Sequence, residues 1–367
     1  MASAAADDGG LIKCVVWDID NTLLAGVYLE SGRQPPPGDP ALLAVLRELA
    51  ARGVLQAVAS RNPPAAADYV QQLAGLDFAA AECSWDAKPD AIRRIAAALD
   101  LDPDSMAFVD DDMVERAEVA AALPGVLVLT PEDAREAASW PQFSPPVVTA
   151  EARRRGELYA ERRSRQAAAR EFGGSRAEFL RHVGTRVTIA AATAADEPRL
   201  HELSARTRQL NSAGQPVAET ELARMLTSGG EQVATVRLAD DFGDDGLVGA
   251  AIMTGNAGRR GTGPAVATAP LVMTVPLVMM SCRALGRGAL DALLAWLCGS
   301  AAAAGAAALT VPCRVTDRNV PFRLALAAAG FRAEPGEIGS DGRVLFRRTL
   351  AGELPRMPDF AVAQGPL

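Results

Sequence analysis

The feature that most constrains this chain is a short apolar run, Leu11-Ile12-Lys13-Cys14-Val15-Val16-Trp17, that ends in Asp18-Ile19-Asp20-Asn21-Thr22. A run of this length rich in β-branched residues is a buried strand. A strand buried on both faces belongs in a parallel sheet covered by helices, and the carboxyl end of such a strand is where that sheet presents its site. The acids therefore stand at the place where chemistry is expected.

The segments that follow repeat the alternation. Pro40 to Arg52 has helical spacing of Leu and Ala and is closed by Gly53. Val54 to Ser60 reads as a second buried strand ending at Ser60-Arg61-Asn62-Pro63, and its prolines start a helix over Ala65 to Ala74. After Trp85-Asp86-Ala87-Lys88-Pro89 come a helix from Asp90, the strand Met106 to Asp112, a helix from Val114 and the strand Val126 to Thr130. Strand and helix at these lengths give an α/β architecture with a parallel sheet.

The chain has 367 residues, enough for two cores. The expected layout is an α/β domain over 1–150, an arginine-dense helical linker over 151–181, a second domain over 182–352 and a loose tail over 353–367. The linker reads as a solvated helix or as a docking face for an acidic partner. In the second domain, strands around Thr188, Val233, Val248 and Met273 carry fewer helices (Glu197 to Thr207, Glu219 to Leu226, Gly288 to Ala304, Pro321 to Ala329), which is an α+β pattern.

A net charge of −8 argues against a general nucleic-acid binder, since phosphate contacts need surplus Lys and Arg, and against an anionic membrane surface. The segment around Met273 to Met280 is too short to span a bilayer core of roughly 30 Å as a helix. The five cysteines, Cys14, Cys83, Cys282, Cys298 and Cys313, show no metal spacing and read as reduced thiols. The first ten residues lack the basic and apolar regions of a signal peptide, so a cytoplasmic protein is expected.

In Asp18-Ile19-Asp20 the first carboxylate can attack phosphorus or bind a cation, and the second can serve as general acid and base. Close carboxylates repel without a hard cation between them, which points to Mg²⁺. Ser60, Lys88 and Asp110-Asp111-Asp112 also fall at strand ends or before a helix, where a hydroxyl and an ammonium can hold phosphoryl oxygens and further acids can complete a metal site. In the second domain Arg283-Ala284-Leu285-Gly286-Arg287-Gly288 lies between a strand and a helix, where glycines admit a pyrophosphate or phosphopantetheine to main-chain N–H groups. Arg206 to Asn211 is either a second contact for that arm or a helix end capped by Asn211. His182 and His201 read as helix-surface or capping residues.

Taken in order, KCVVWDIDNTL, ASRN, WDAKPDAI, FVDDDMVERAEV, LYAERRSRQ, RTRQLN, MSCRALGRG and the AAAGF before Arg332 resemble the haloacid dehalogenase (HAD) superfamily, and within it the FkbH-like proteins of polyketide pathways. That resemblance implies a Rossmann-like, Mg²⁺-dependent HAD domain followed by an α+β GNAT-like domain. It also implies a 1,3-bisphosphoglycerate-like donor whose phosphate is removed and whose glyceryl unit is loaded onto the phosphopantetheine thiol of an acyl carrier protein. By position Asp18 is then nucleophile and metal ligand, Asp20 acid/base with a metal-binding carbonyl, and Asp110 and Asp111 further metal ligands. Thr22, Ser60, Asn62 and Lys88 would grip phosphate, and Arg283, Gly286, Arg287 and Gly288 would hold phosphopantetheine or CoA. Two departures stand out: the family's cysteine before the Ser-Lys-Asn stretch is Ala59 here and its Lys is Arg61, and Leu24-Ala25-Gly26 replaces the usual Trp-Gly-Gly. Without a thiol at 59 the usual acyl-enzyme is not available, and Cys83 is a better stand-in than the strand residue Cys14. Simpler alternatives are a small-molecule phosphatase, a carrier-protein-binding module, or a GNAT-type acyltransferase using CoA.

Overall fold

In the computed structural model residues 10–32, 34–145, 147–227, 231–255, 270–338 and 342–364 are described. Residues 1–9, which carry the signal-peptide reading, lie outside them. The chain divides into two compact units, Met1–Ser164 and Arg165–Leu367.

Unit 1 alternates strand and helix, with β3 and α5 added to the elements expected from its sequence: β1 (Cys14–Trp17), α1 (Pro40–Ala51), β2 (Leu55–Ser60), α2 (Pro64–Ala74), β3 (Ala80–Cys83), α3 (Lys88–Leu99), β4 (Met106–Val109), α4 (Met113–Ala122), β5 (Leu127–Leu129) and α5 (Pro131–Glu136), then α6 (Ala150–Arg153) and the start of α7 (Arg155–Glu171). The five strands form one parallel sheet in the order β3-β2-β1-β4-β5. The chain runs outward from β1 to β3 and then returns to the other side of β1, so the topological switch lies between β1 and β4, where a doubly wound sheet opens a crevice.

The strand period of two explains why β1 has no polar residue. Val15 and Trp17 pack in one core layer with Leu42, Leu46 and Leu49 of α1, while Cys14 and Val16 pack in the opposite layer with Ile92 and Ile95 of α3. With both faces covered, side chains can meet solvent only beyond the strand ends.

Unit 2 begins within α7 and continues through α8 (Arg176–His182), β6 (Arg186–Ala191), α9 (Glu197–Arg206), α10 (Glu219–Thr227), β7 (Glu231–Asp240), β8 (Gly243–Gly255), β9 (Val272–Met280), α11 (Ala289–Ala303), β10 (Ala308–Arg314), α12 (Val320–Ala328), β11 (Arg332–Ile338), β12 (Arg343–Thr349) and β13 (Ala361–Gln364). Its mixed eight-stranded sheet runs β11-β12-β10-β9-β8-β7-β6-β13. One face is covered by α11 and α12, the other by Leu200 and Leu203 of α9 and Leu222 of α10. Among the described residues no helix is long and apolar enough to cross a membrane.

Two expectations change here. The linker is not one solvated helix: α7 buries Leu158 and Tyr159, stops before Gly173-Gly174, and α8 restarts on a capping box between Ser175 and Glu178. Its arginines are not all solvated either, because Arg165 is buried and its Nη2 donates to Asp240 Oδ1 at 2.8 Å. The tail is not loose. Its alternating Ala361-Val362-Ala363-Gln364 adds to β6 as a parallel edge strand, Val187 N–H donates to Phe360 O at 3.0 Å, and Phe360 packs against the core. The prolines before it mark only the approach.

Phe360→Ala should therefore destabilise unit 2 by about 2 kcal/mol, seen as a lower thermal midpoint by circular dichroism. A disordered tail would give no change.

Candidate active site

Every side chain of the site stands just beyond a strand end. Asp18 follows β1 and its N–H donates to Val109 O at 2.9 Å, which locks it beside the end of β4. Asn21 takes a left-handed φ of +54°, a conformation that Asn tolerates better than most residues, and the chain then folds back so that Leu23 and Leu24 donate to Ile19 O. That turn holds Asp20 and Thr22 at the same edge.

Lys88, the first residue of α3, is the floor of the site. It is 3% exposed; its Nζ pairs with Asp18, donates to Ala59 O at 2.7 Å and lies 3.3 Å from Asp110 Oδ2. Asp110 accepts from Asp112 N–H at 2.8 Å, and its carbonyl accepts from Arg116 Nη1 at 2.7 Å. Asp111 is tied to Thr22 by a pair of bonds, Thr22 Oγ1 to Asp111 Oδ1 at 3.3 Å and Asp111 N–H to Thr22 Oγ1 at 3.2 Å. Asp20 is held separately: it accepts from Tyr28 N–H and from Asn62 Nδ2, both at 2.9 Å, and the same Nδ2 lies 3.1 Å from Ser60 Oγ. The structure thus gathers Asp18, Asp20, Thr22, Ser60, Asn62, Lys88, Asp110 and Asp111 at one sheet edge.

Two buried carboxylates face one buried ammonium. Burial, and then the neighbouring Asp110 charge, push Asp18 up to about 7 against the pull of Lys88, and burial raises Asp110 as well. The donor set fits a hard divalent cation. Asp18, Asp110 and Asp111 each bring one carboxylate oxygen to within 4.8 Å of the others. Asn62 Oδ1 and Glu115 Oε2 are buried without a hydrogen-bond partner and Asp110 Oδ2 faces only the Lys88 ammonium at 3.3 Å; all are oxygens, which suits a metal with its water. The carboxylate of Asp20 is not in the three-acid group; only its carbonyl remains as the expected metal contact. A cavity of about 390 Å³ opens beside the Thr22–Asp111 pair and is lined in part by Pro37, Arg116 and Arg135.

Sequence reasoning missed Arg61, Glu115 and Arg116 as parts of this site. Their signal was present in the positions directly after Ser60 and in the first turn of the helix after the acid triplet. Of the two thiols considered for the site, Cys14 is buried and held strongly protonated, and burial pushes the half-buried Cys83 up to about 11. Ala59 is itself buried in the sheet.

The glycine turn of unit 2 departs from expectation. Arg283 and Arg287 do not point outward; both are buried, with Arg283 Nε 3.3 Å from Asp245 Oδ1 and Arg287 Nη2 2.7 Å from Asp240 Oδ2, in one cluster with Arg165. Buried guanidinium groups need such partners, and here they are met only in part, since Arg283 Nη2 and Arg287 Nε are buried without a hydrogen-bond partner. Gly286 and Gly288 do adopt the left-handed φ of +71° and +75°, but the space where their side chains would stand holds the Arg176 guanidinium and the Phe360 ring. Asn211 is a structural residue, buried, donating to Thr207 O at 3.2 Å and accepting from Ala213 N–H at 2.8 Å. Leu210 to Ser212 lies where β9 and β10 part after three parallel pairs, bonded to Val278 and Met280 on one side and to Arg314 on the other. Arg206 faces Glu202 at 3.5 Å, and His182 stacks on Phe172.

No family model and no curated protein matches the chain. Among solved structures, it is similar to the N-terminal part of the Bacteroides fragilis protein BF1531 containing a phosphatase domain complexed with Mg, at 31% identity and TM-score 0.31, over 35% of this chain and 38% of that one. It is also similar to a GNAT superfamily phosphinothricin acetyltransferase from Sinorhizobium meliloti in complex with AcCoA (20% identity, 44% of this chain, 88% of that one, TM-score 0.33). A third is a putative GNAT acetyltransferase from Desulfovibrio desulfuricans (17% identity, 45% and 99% covered, TM-score 0.34). The chain spans well under half the length of the first of these.

A pH prediction follows from the raised Asp18. In chelator the folded state keeps that proton up to about pH 7, whereas an unfolded Asp loses it near 3.9. The native state then binds more protons in that window, so stability falls as pH rises from about 4 to 7. Denaturant midpoints at pH 5 and pH 7 in EDTA should show the fall. Millimolar Mg²⁺ should reduce it, and Asp18→Asn should flatten it.

Proposed function

We propose that unit 1 is a Mg²⁺-dependent phosphohydrolase acting on a small phosphorylated compound. The observation that carries this is the division of labour among its acids: Asp18 sits on Lys88 within the Asp18-Asp110-Asp111 oxygen cluster, while Asp20 is held apart by Tyr28 N–H and Asn62. Asp18 Oδ attacks phosphorus as the bond to the leaving oxygen breaks, and Asp20 gives that oxygen its proton. Water then attacks the phosphorylated Asp18, passing a proton back to Asp20, and inorganic phosphate leaves with Asp18 restored. Ser60 and Thr22 orient the phosphoryl oxygens, and Lys88 holds the attacking Asp18 in place. A divalent cation held by Asp18, Asp110 and Asp111 supplies charge neutralisation on those oxygens.

The finer reading, in which the donor is 1,3-bisphosphoglycerate-like and the acyl unit passes to the phosphopantetheine thiol of an acyl carrier protein, is supported by the ordered motifs. With Ala59 in place of a thiol, transfer in that reading runs directly: the pantetheine thiolate attacks the acyl carbon of the donor as the bond from that carbon to the phosphate oxygen breaks, phosphate leaves, and no acyl-enzyme forms at that position. In unit 2 the same reading leaves the main-chain N–H groups at Gly286 and Gly288 to meet a pantetheine phosphate, with Arg176 and not Arg283 or Arg287 as the guanidinium beside them.

Asp18→Asn should lower Mg²⁺-dependent phosphate release from p-nitrophenyl phosphate or acetyl phosphate by on the order of 10³-fold or more. Full activity in that variant would overturn the assignment. Intact-mass measurement of a carrier protein incubated with the enzyme, Mg²⁺ and 1,3-bisphosphoglycerate separates the two levels: phosphate release without a mass increase on the carrier protein leaves only the phosphatase.

A further inference from the structure

Arg61 follows Ser60 at the end of β2, and Glu115 lies in the first turn of α4, after β4. The sheet order places β1 between those strands, so a contact joining them crosses the end of β1, two strand spacings or roughly 10 Å. That contact exists: Arg61 Nη1 lies 2.8 Å from Glu115 Oε1. The two partners are differently placed, with side-chain exposures of 45% for Arg61 and 13% for Glu115. Glu115 also interacts electrostatically with Lys88 and Asp110, which sets it beside the floor of the site, and its Oε2 is buried without a hydrogen-bond partner.

A half-exposed ion pair adds little to stability, so the cross-strand reach is not accounted for by stability alone. The site's buried cation, Lys88, is already spent on Asp18, Asp110 and Ala59 O. An incoming phosphoryl group meets four nearby carboxylates and needs a cation that is anchored yet open to the mouth. Arg61 has the required features: one nitrogen is held by Glu115, the side chain is 45% exposed, and a planar guanidinium carries further donors with the geometry of two phosphoryl oxygens.

We propose that Arg61 binds the phosphoryl oxygens of the substrate in this site and that Glu115 is the residue that positions it. The inference rests on the phosphohydrolase reading of unit 1. It is tested on the full chain with Mg²⁺ by calorimetric titration with inorganic phosphate and by p-nitrophenyl phosphate kinetics. Arg61→Gln should raise the phosphate Kd about tenfold or more and lower kcat/KM by a similar or larger factor, at an unchanged thermal midpoint. Arg61→Lys should recover part of the phosphate affinity, and Glu115→Gln, which keeps a hydrogen-bonding oxygen but loses the charge, should raise KM more than it lowers kcat. Wild-type phosphate affinity in Arg61→Gln, or a lowered thermal midpoint with phosphate affinity intact, would make the pair a structural clasp and overturn the proposal while the phosphohydrolase stands. A wild-type protein with no Mg²⁺-dependent phosphate release would overturn the phosphohydrolase itself, and this assignment with it.

Discussion

The ammonium of Lys88, shut into the end of a parallel sheet between Asp18 and Asp110, is the interaction on which unit 1 depends. A buried cation is tolerated only when its hydrogen bonds are complete, and Lys88 completes them with two carboxylates and the carbonyl of Ala59. That arrangement ties the end of β2, the end of β1, the end of β4 and the start of α3 to one nitrogen. It also leaves more carboxylates than cations at the end of the sheet. The same residues that make the floor rigid therefore create the demand for a second cation, and the orphaned oxygens of Asn62 and Glu115 lie around that demand.

Unit 2 buries the opposite charge, an excess of guanidinium over carboxylate. Three buried arginines, Arg165, Arg283 and Arg287, share the two carboxylates of Asp240 and Asp245 at the end of β7 and the start of β8, and Arg283 Nη2 and Arg287 Nε keep no hydrogen-bond partner. The cluster fixes the turn that precedes α11. The glycines of that turn are needed for its backbone, since both take left-handed φ values that a side chain would strain, but the volume they free is used by the chain itself. A glycine motif thus reports a backbone conformation reliably and a ligand less so.

Much of unit 1 was legible because its periodicities are unmixed. Four of its strands are short apolar runs ending in polar residues, and the helices between them carry Leu, Ile and Ala at helical spacing. β3 was not, because Ala80-Ala81-Glu82-Cys83 carries no β-branched residue and is defined only by pairing with β2. In unit 2, β12 was obscured by its arginines: Arg343, Arg347 and Arg348 flank a strand whose identity comes from its antiparallel register with β10. β13 was hidden by length, four residues beyond a proline-containing approach. The acids of the site were legible because a strand end makes their neighbourhood predictable. Arg61 and Glu115 were not, because their meeting depends on strand order, which local pattern does not encode.

The most direct test of this account is the number of divalent cations that unit 1 holds, followed by electron paramagnetic resonance of Mn²⁺ titrated into the full chain at neutral pH. One Mn²⁺ per chain in the wild type, displaced by Mg²⁺ and lost in Asp110→Asn without loss of fold, is the predicted result. No bound Mn²⁺ in the wild type, or undiminished binding in Asp110→Asn, would contradict the claim that the Lys88 floor and its surplus carboxylates form a cation site.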